Sequence, residues 1–183
     1  GLGDVYKRQG LFLEERSNDA SGSVVCACLE GNRPILVEVQ ALVAKTPYGM
    51  PRRTAVGFDY NRVTMLLAIL ERRLGMDFGA YDAYVNVVGG MRVTEPAADL
   101  AVAAALVSSY RNRPIPHGVL VMGEVGLTGE VRRIGSPERR IKDAMNLGFK
   151  RFVLPMGKLS LDEPCNGIVQ VKTLEEALDK VFA

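Results

Sequence analysis

The run PAADLAVAAALVSSYRNR, Pro96 to Arg113, constrains the fold more than any other stretch. Alanine is the strongest helix former, and its small side chain lets neighbouring backbones approach closely. The run therefore predicts a buried central helix, opened by Pro96 and ended at Arg113-Pro114-Ile115-Pro116, where proline cannot continue the hydrogen-bond ladder. A chain of 183 residues with 48% hydrophobic composition can close one full core around such a helix, so one main domain is expected.

The segments on either side supply a sheet. Ser23 to Glu30 alternates as a strand, Gly31-Asn32-Arg33-Pro34 has turn composition, and Ile35 to Ala44 is a second β-rich run, so the two predict a long hairpin. Thr46 to Arg53, TPYGMPRR, is an exposed loop ending in paired arginines, and Thr54 to Phe58 predicts another strand. Asp59 caps a helix in which Val63, Leu66, Leu67, Leu70 and Leu74 share one face, and Ala83 to Val88 is a strand running into Gly89-Gly90. Beyond the central helix, Gly118 to Pro155 reads as strand, tight turn, strand, helix and strand. Val119–Met122 and Val131–Ile134 are expected to form a hairpin, with Ser136 as N-cap, Pro137 at the first helical position and a stop at Gly148. Cys165 to Val171 and a helix capped by Thr173 and Glu176 complete the chain. Helices alternating with strands after an initial hairpin define an α/β (α+β) domain, a mixed sheet covered by helices.

Domain organisation follows from composition. Gly1 to Gln9 lacks a Met start and a periodic pattern and is read as a non-native leader (1–9). Residues 10–22 step from GLFLEE into a linker rich in Ser, Asn, Asp and Gly, and 23–183 form the folded domain. No apolar run reaches the roughly 18 residues that a spanning helix needs. The three cysteines make no disulfide framework, which suits reduced thiols in a cytosol. Cys26 and Cys28 should face the same side of their strand.

Most obvious chemistries are excluded. No Gly-Lys-Ser/Thr loop is present to cradle phosphate, and a single histidine, His117, argues against zinc sites and Ser-His-Asp catalysis. Net charge is only +2, so any polyanion argument depends on where the charges lie. Between Gly129 and Arg151 seven Lys/Arg face three Asp/Glu. Part of that charge, at Arg139, Arg140 and Lys142, can decorate the helix through i, i+4 pairs such as Glu138–Lys142 and Arg139–Asp143.

Two segments, Thr94 to Pro116 and Gly118 to Pro155, resemble the proteolytic domain of Lon. In that family a Gly-Pro-Ser-Ala-Gly segment carries the nucleophile; here the frame reads Glu95-Pro96-Ala97-Ala98-Asp99. The family's Ile-Gly-Gly-Leu-Lys frame reads Ile134-Gly135-Ser136-Pro137-Glu138. The nucleophile and general-base positions are thus Ala97 and Glu138, and neither a methyl group nor a carboxylate can do the work of a Ser–Lys pair. A closer resemblance, over nearly everything after residue 10, is to the C-terminal Lon-protease-like domain of the RadA (Sms) family of bacterial DNA-repair proteins. It rests on GLFLEER, VEVQALV, PRRTAVGFDYNR, EPAADLAVA, GEVGLTGEVRR and ERRIKDAMNLGFKR. It implies a Lon-like fold without peptidase activity, and makes 10–22 the tail of a preceding RecA-like ATPase domain. ATP, Mg and Zn belong only to domains missing here. A homo-hexameric ring, a role on branched recombination intermediates, a partnership with the recombinase RecA through the full-length protein and a bacterial cytoplasmic location are also implied.

The residues offer partial support. Arg33, Arg52, Arg53, Arg62, Arg92, Arg132 and Arg133 lie in or beside predicted turns and helix starts, where guanidinium forks can converge on phosphate oxygens. Such contacts are sequence-independent and salt-sensitive. Trp is absent and aromatics do not interleave with these cations, which favours the duplex backbone over base stacking. The alternative is a purely structural oligomerisation domain whose arginines face solvent or neighbouring subunits. A cryptic Ser–Lys hydrolase is the third reading, opposed by Ala97 and Glu138.

Overall fold

The computed structural model describes Arg16 and residues 19–183. The predicted 1–9 leader and most of the 10–22 tail lie outside the described residues. Ser23–Glu30 (β1) and Arg33–Lys45 (β2) form the expected hairpin, in register from Ser23 opposite Gln40 to Glu30 opposite Arg33. Arg53–Val56 (β3) leads into Tyr60–Leu74 (α1). Asp59 caps α1 by accepting the Asn61 amide at 2.7 Å, and Gly75 closes it at φ +69°. Then come Tyr81–Val87 (β4), a 3-10 turn at Pro96–Ala98, Asp99–Arg111 (α2) and Val119–Val121 (β5). The chain closes with Glu124–Val125 (β6), Val131–Arg132 (β7), Pro137–Asn146 (α3), Arg151–Pro155 (β8), Ile168–Val171 (β9) and Leu174–Phe182 (α4).

Seven strands make one sheet in the order β3-β4-β2-β1-β5-β8-β9, with β6 and β7 a separate ribbon. β2 runs antiparallel to both its neighbours, whereas β3–β4, β1–β5, β5–β8 and β8–β9 pair in parallel. Six strands therefore point the same way, and their C-termini share one end of the sheet.

The Ala-rich helix is the centre of the core, as predicted. Every residue of α2 from Asp99 to Ser108 is buried, and it packs on β1, β2, β4, β5, α1 and α4. Helix α3 packs on β1 and β2 as well, and Val24 to Ala27 are fully buried on both alternating faces of β1. Fully burying a Leu such as Leu100 or Leu106 contributes about 2 kcal/mol.

Two local expectations are corrected. Val119–Val121 is not one arm of a hairpin; it pairs with β1 and β8 inside the main sheet, and the hairpin is the short β6–β7 ribbon beyond it. The reason is burial: Val119, Leu120 and Val121 are apolar without alternation, the pattern of a strand covered on both faces. Ser136 precedes α3 but sits at φ +52° and makes no capping hydrogen bond. The turn there is held instead by Arg140, whose Nε donates to the Gly135 carbonyl at 2.8 Å. The N-cap of α4 behaves as expected, Thr173 Oγ1 accepting the Glu176 amide at 3.1 Å. Arg151 donates to the carbonyls of Lys180 and Ala183 at the other end of α4, where cationic groups are favoured.

Candidate nucleic-acid interface

In open sheets with parallel strands, ligands sit outside the carboxyl ends where the strand order reverses. Here the reversal lies between β1, whose chain turns to β2 on one side, and β5, whose chain proceeds to β8 on the other. The 3-10 turn carrying Ala97 fills that position. The Ala97 carbonyl accepts the Gly123 amide, just past β5, at 2.8 Å, and lies 3.9 Å from Cys26 Sγ in β1. Ala97 is 4% exposed and Ala98 is fully buried.

The carboxylates on either side of the 3-10 turn, Glu95 and Asp99, are both paired. Glu95 accepts from Arg140 at 2.5 and 3.0 Å and also takes the Leu29 amide at 2.7 Å. The Arg140 side chain is 2% exposed and completes its bonding with the Ala27 and Gly135 carbonyls, each at 2.8 Å. Asp99, fully buried at the first turn of α2, holds the Arg62 guanidinium in a two-pronged ion pair and accepts the Val125 amide at 3.1 Å. Burial pushes the Asp99 carboxyl above its usual range, against the pull of Arg62 and the Val125 amide; hydrogen bonding to Asp99 holds Arg62 above its own ordinary value. These pairs tie β1, the 3-10 turn, α1, α3 and the β6 ribbon together at one end of the sheet. Glu138 is not part of this cluster. It lines a cleft of about 270 Å³ with Arg133, Pro155, Met156 and Lys158, and its carboxylate meets the Ser160 amide at 3.5 Å.

The topology divides the seven arginines. Arg33 at the start of β2, Arg62 at the start of α1, Arg92 after β4, and Arg132 and Arg133 at β7 all stand at the C-terminal end of the parallel strands. Arg52 just before β3 and Arg53 at its first position stand at the opposite end. Their commitments also differ. Arg53 donates to the Phe78 carbonyl at 2.9 Å and to the Tyr81 carbonyl, and Arg62 is held by Asp99. Arg132 is exposed but reaches Glu130 at 3.2 Å and Glu124 at 3.7 Å. Arg92 and Arg133 are exposed and, among the described residues, have no polar side-chain partner. Arg33 is half-buried, with one terminal nitrogen lacking a hydrogen bond among the described residues. The Arg92 loop is fixed in place: the Val93 amide donates to the Gly57 carbonyl at 2.7 Å. Gly57, at φ +79°, leaves room where a Cβ would stand 2.5 Å from the Met91 carbonyl.

Sequence reasoning missed Arg140, read as surface decoration of α3. Its burial could be read from Ile141 and Ala144, which share its side of the helix, and from the two carboxylates on either side of the 3-10 turn. Cys26 and Cys28 do face one side, with sulfurs 3.8 Å apart; hydrogen bonding between them, with burial, holds the Cys26 thiol well above its usual range. Among the described residues no group of three or more His, Cys, Asp and Glu side chains is placed to hold a metal ion. No helix among them is long and apolar enough to cross a membrane.

A family model described as subunit ChlI of Mg-chelatase matches residues 39–158, most of the chain, including α2, the 3-10 turn and the β6–β7 ribbon. The chain belongs to that family. Over its whole length it is similar to proteins named DNA repair protein RadA, as the sequence motifs implied. The identity is 46% over 183 residues with that of Halalkalibacterium halodurans, covering 98% of this chain and 40% of the relative. With RadA of Pseudomonas aeruginosa it is 48% over 183 residues, covering 100% and 40%; with that of Bacillus subtilis it is 47% over 180 residues, covering 97% and 39%. The chain thus spans about 40% of the length of these relatives.

Proposed function

We propose that residues 23–183 are the proteolytically inactive, Lon-like domain of a RadA-type DNA repair protein. In this reading the domain is a ring-forming scaffold with a sequence-independent DNA-binding surface, used on branched recombination intermediates. The observation that carries it is the gathering of Arg33, Arg92, Arg132 and Arg133 at one end of the sheet, the end that the Glu95–Arg140 and Asp99–Arg62 pairs tie together. Forks held on a rigid end suit the phosphates of a duplex, a contact that positions without reading sequence. Arg62 has a bracing role here, and Arg53 holds the β3–β4 edge. Hydrolysis has no agent, since Ala97 offers a methyl group and Glu138 lies in the cleft with Arg133.

The parent's motor is a RecA-like ATPase preceding the domain, with residues 10–22 as its tail. ATP and Mg belong to that motor, and Zn to a finger ahead of it. The assembled protein works as a hexamer in the bacterial cytoplasm, beside the recombinase RecA. A second reading, a structural oligomerisation domain without DNA contact, draws on the ion pairing of Arg62, Arg132 and Arg140. Fluorescence anisotropy with a labelled duplex separates them. The DNA reading expects R92A/R133A to bind more weakly at unchanged oligomeric state; equal affinity supports the structural reading.

A further inference from the structure

The exposed loop between β2 and β3 is built unlike the rest of the surface. Tyr48 is 90% and Met50 87% exposed, more than any other large apolar side chain described. A loop free to collapse would cover them. This one cannot, because its neck is stapled. One oxygen of Asp82, on β4, accepts the Thr46 hydroxyl at 3.0 Å and the Arg52 amide at 2.7 Å. The Thr46 amide donates to the Ala80 carbonyl at 2.9 Å, and the Arg52 carbonyl takes the Ala83 amide at 2.9 Å. Arg53 clamps the adjoining segment through the Phe78 and Tyr81 carbonyls. Pro47 and Pro51 stiffen the two arms, and Gly49 at φ +70° makes the tip. The Arg52 amide bond, with Thr46, holds the Asp82 carboxyl below its usual range against burial, in keeping with a staple made by the charged form.

The surroundings specify the partner. Lys45 and Arg52 flank the tip and are exposed, and no acidic residue occurs between Glu38 and Asp59. The nearby carboxylate of Asp77 is turned back onto the Gly79 amide at 3.0 Å. A projecting ring with a cation on each arm fits a polyanion that also offers flat apolar faces. Resting on the DNA reading above, we propose that Tyr48 stacks on an unpaired or unstacked base of branched DNA, with Lys45 and Arg52 on the adjacent phosphates. The tip stands at the opposite end of the sheet from Arg92 and Arg133, so one domain offers a duplex-facing end and a base-facing end.

The sequence order had pointed away from base stacking, since aromatics do not interleave with the arginine-rich segments; the stapled neck is what sets Tyr48 between Lys45 and Arg52. Stacking on an aromatic is worth enough that its removal typically lowers affinity roughly tenfold. The test measures binding of the chain to a forked oligonucleotide with 2-aminopurine at the junction and to a blunt duplex. The variants are Y48A, Y48F and R92A/R133A. The expected result is about a tenfold loss for Y48A on the fork, loss of the 2-aminopurine signal change, retention of both by Y48F, and little change on blunt duplex. Unchanged fork affinity and signal for Y48A overturn the proposal; if R92A/R133A still weakens duplex binding, the DNA reading survives that failure. Should Y48A alter oligomeric state by light scattering with DNA affinity intact, the loop docks on a second copy and the proposal is wrong. Failure of the unsubstituted chain to bind either DNA sinks both readings together.

Discussion

Replacing Arg140 by Met keeps the apolar stem and removes the guanidinium, which isolates its role beside the 3-10 turn. The guanidinium is buried, at 2% exposure, and donates to two carbonyls besides Glu95. Breaking a buried pair by deleting one partner costs about 3–5 kcal/mol, because the remaining charge is left uncompensated. Glu95 is 22% exposed, so water reaches part of it, which places the expected cost near the lower bound, about 3 kcal/mol. For a domain of this size that lowers Tm by about 6–12 °C. The assay is urea unfolding of the unsubstituted chain, R140M, E95Q and R140M/E95Q, read as a double-mutant cycle. Because the double variant has no buried charge left unpaired, it should be more stable than R140M alone, with a coupling of about 2 kcal/mol. If R140M costs less than about 0.5 kcal/mol, or the two single costs simply add, then the pair does not brace this end of the sheet.

Placing Ser and Lys at the two positions that the Lon resemblance singles out should not create a peptidase: A97S/E138K is expected to leave casein uncleaved, because Ala97 is buried against β1 and Glu138 lines the Arg133 cleft. Purified double variant with turnover above the unsubstituted chain would refute that. The Asp82 staple gives a pH prediction. Its folded-state value is depressed, so its contribution is complete above the unfolded value, about 3.9, and is lost as pH falls through the folded one. Chemical denaturation of the chain and D82N between pH 6 and pH 3 should show a stability difference that shrinks toward acid; a constant difference would contradict the staple.

The fold was legible where one physical term dominates. The Ala-rich run from Pro96 announced a helix enclosed on all sides, and α2 is buried from Asp99 to Ser108. The β1–β2 hairpin and the Asp59 cap followed from turn and cap chemistry with no help from the rest of the chain. Where partners are distant in sequence, local reading failed. Val119–Val121 looked like a hairpin arm because its true partners, Val25 and Arg151–Val153, lie far away. The same limit applied to the charges. Arg140 meets a carboxylate 45 residues away and Arg62 one 37 away, so neither pairing leaves a trace in local spacing. The seven arginines looked equivalent in sequence because their tips all fall near turns. Only the strand directions separate Arg52 and Arg53 from the other five.

Whether the arginine-bearing end of the sheet meets DNA phosphates is measured most directly by the salt dependence of duplex binding. Each phosphate contact contributes about 0.9 to the slope of log affinity against log salt concentration. Titrations of a blunt duplex over about 50–200 mM salt should therefore show a slope shallower by roughly 2 in R92A/R133A than in the unsubstituted chain, with folding and oligomeric state unchanged. Identical slopes and affinities for the two proteins would contradict the account and leave this end of the sheet a structural surface.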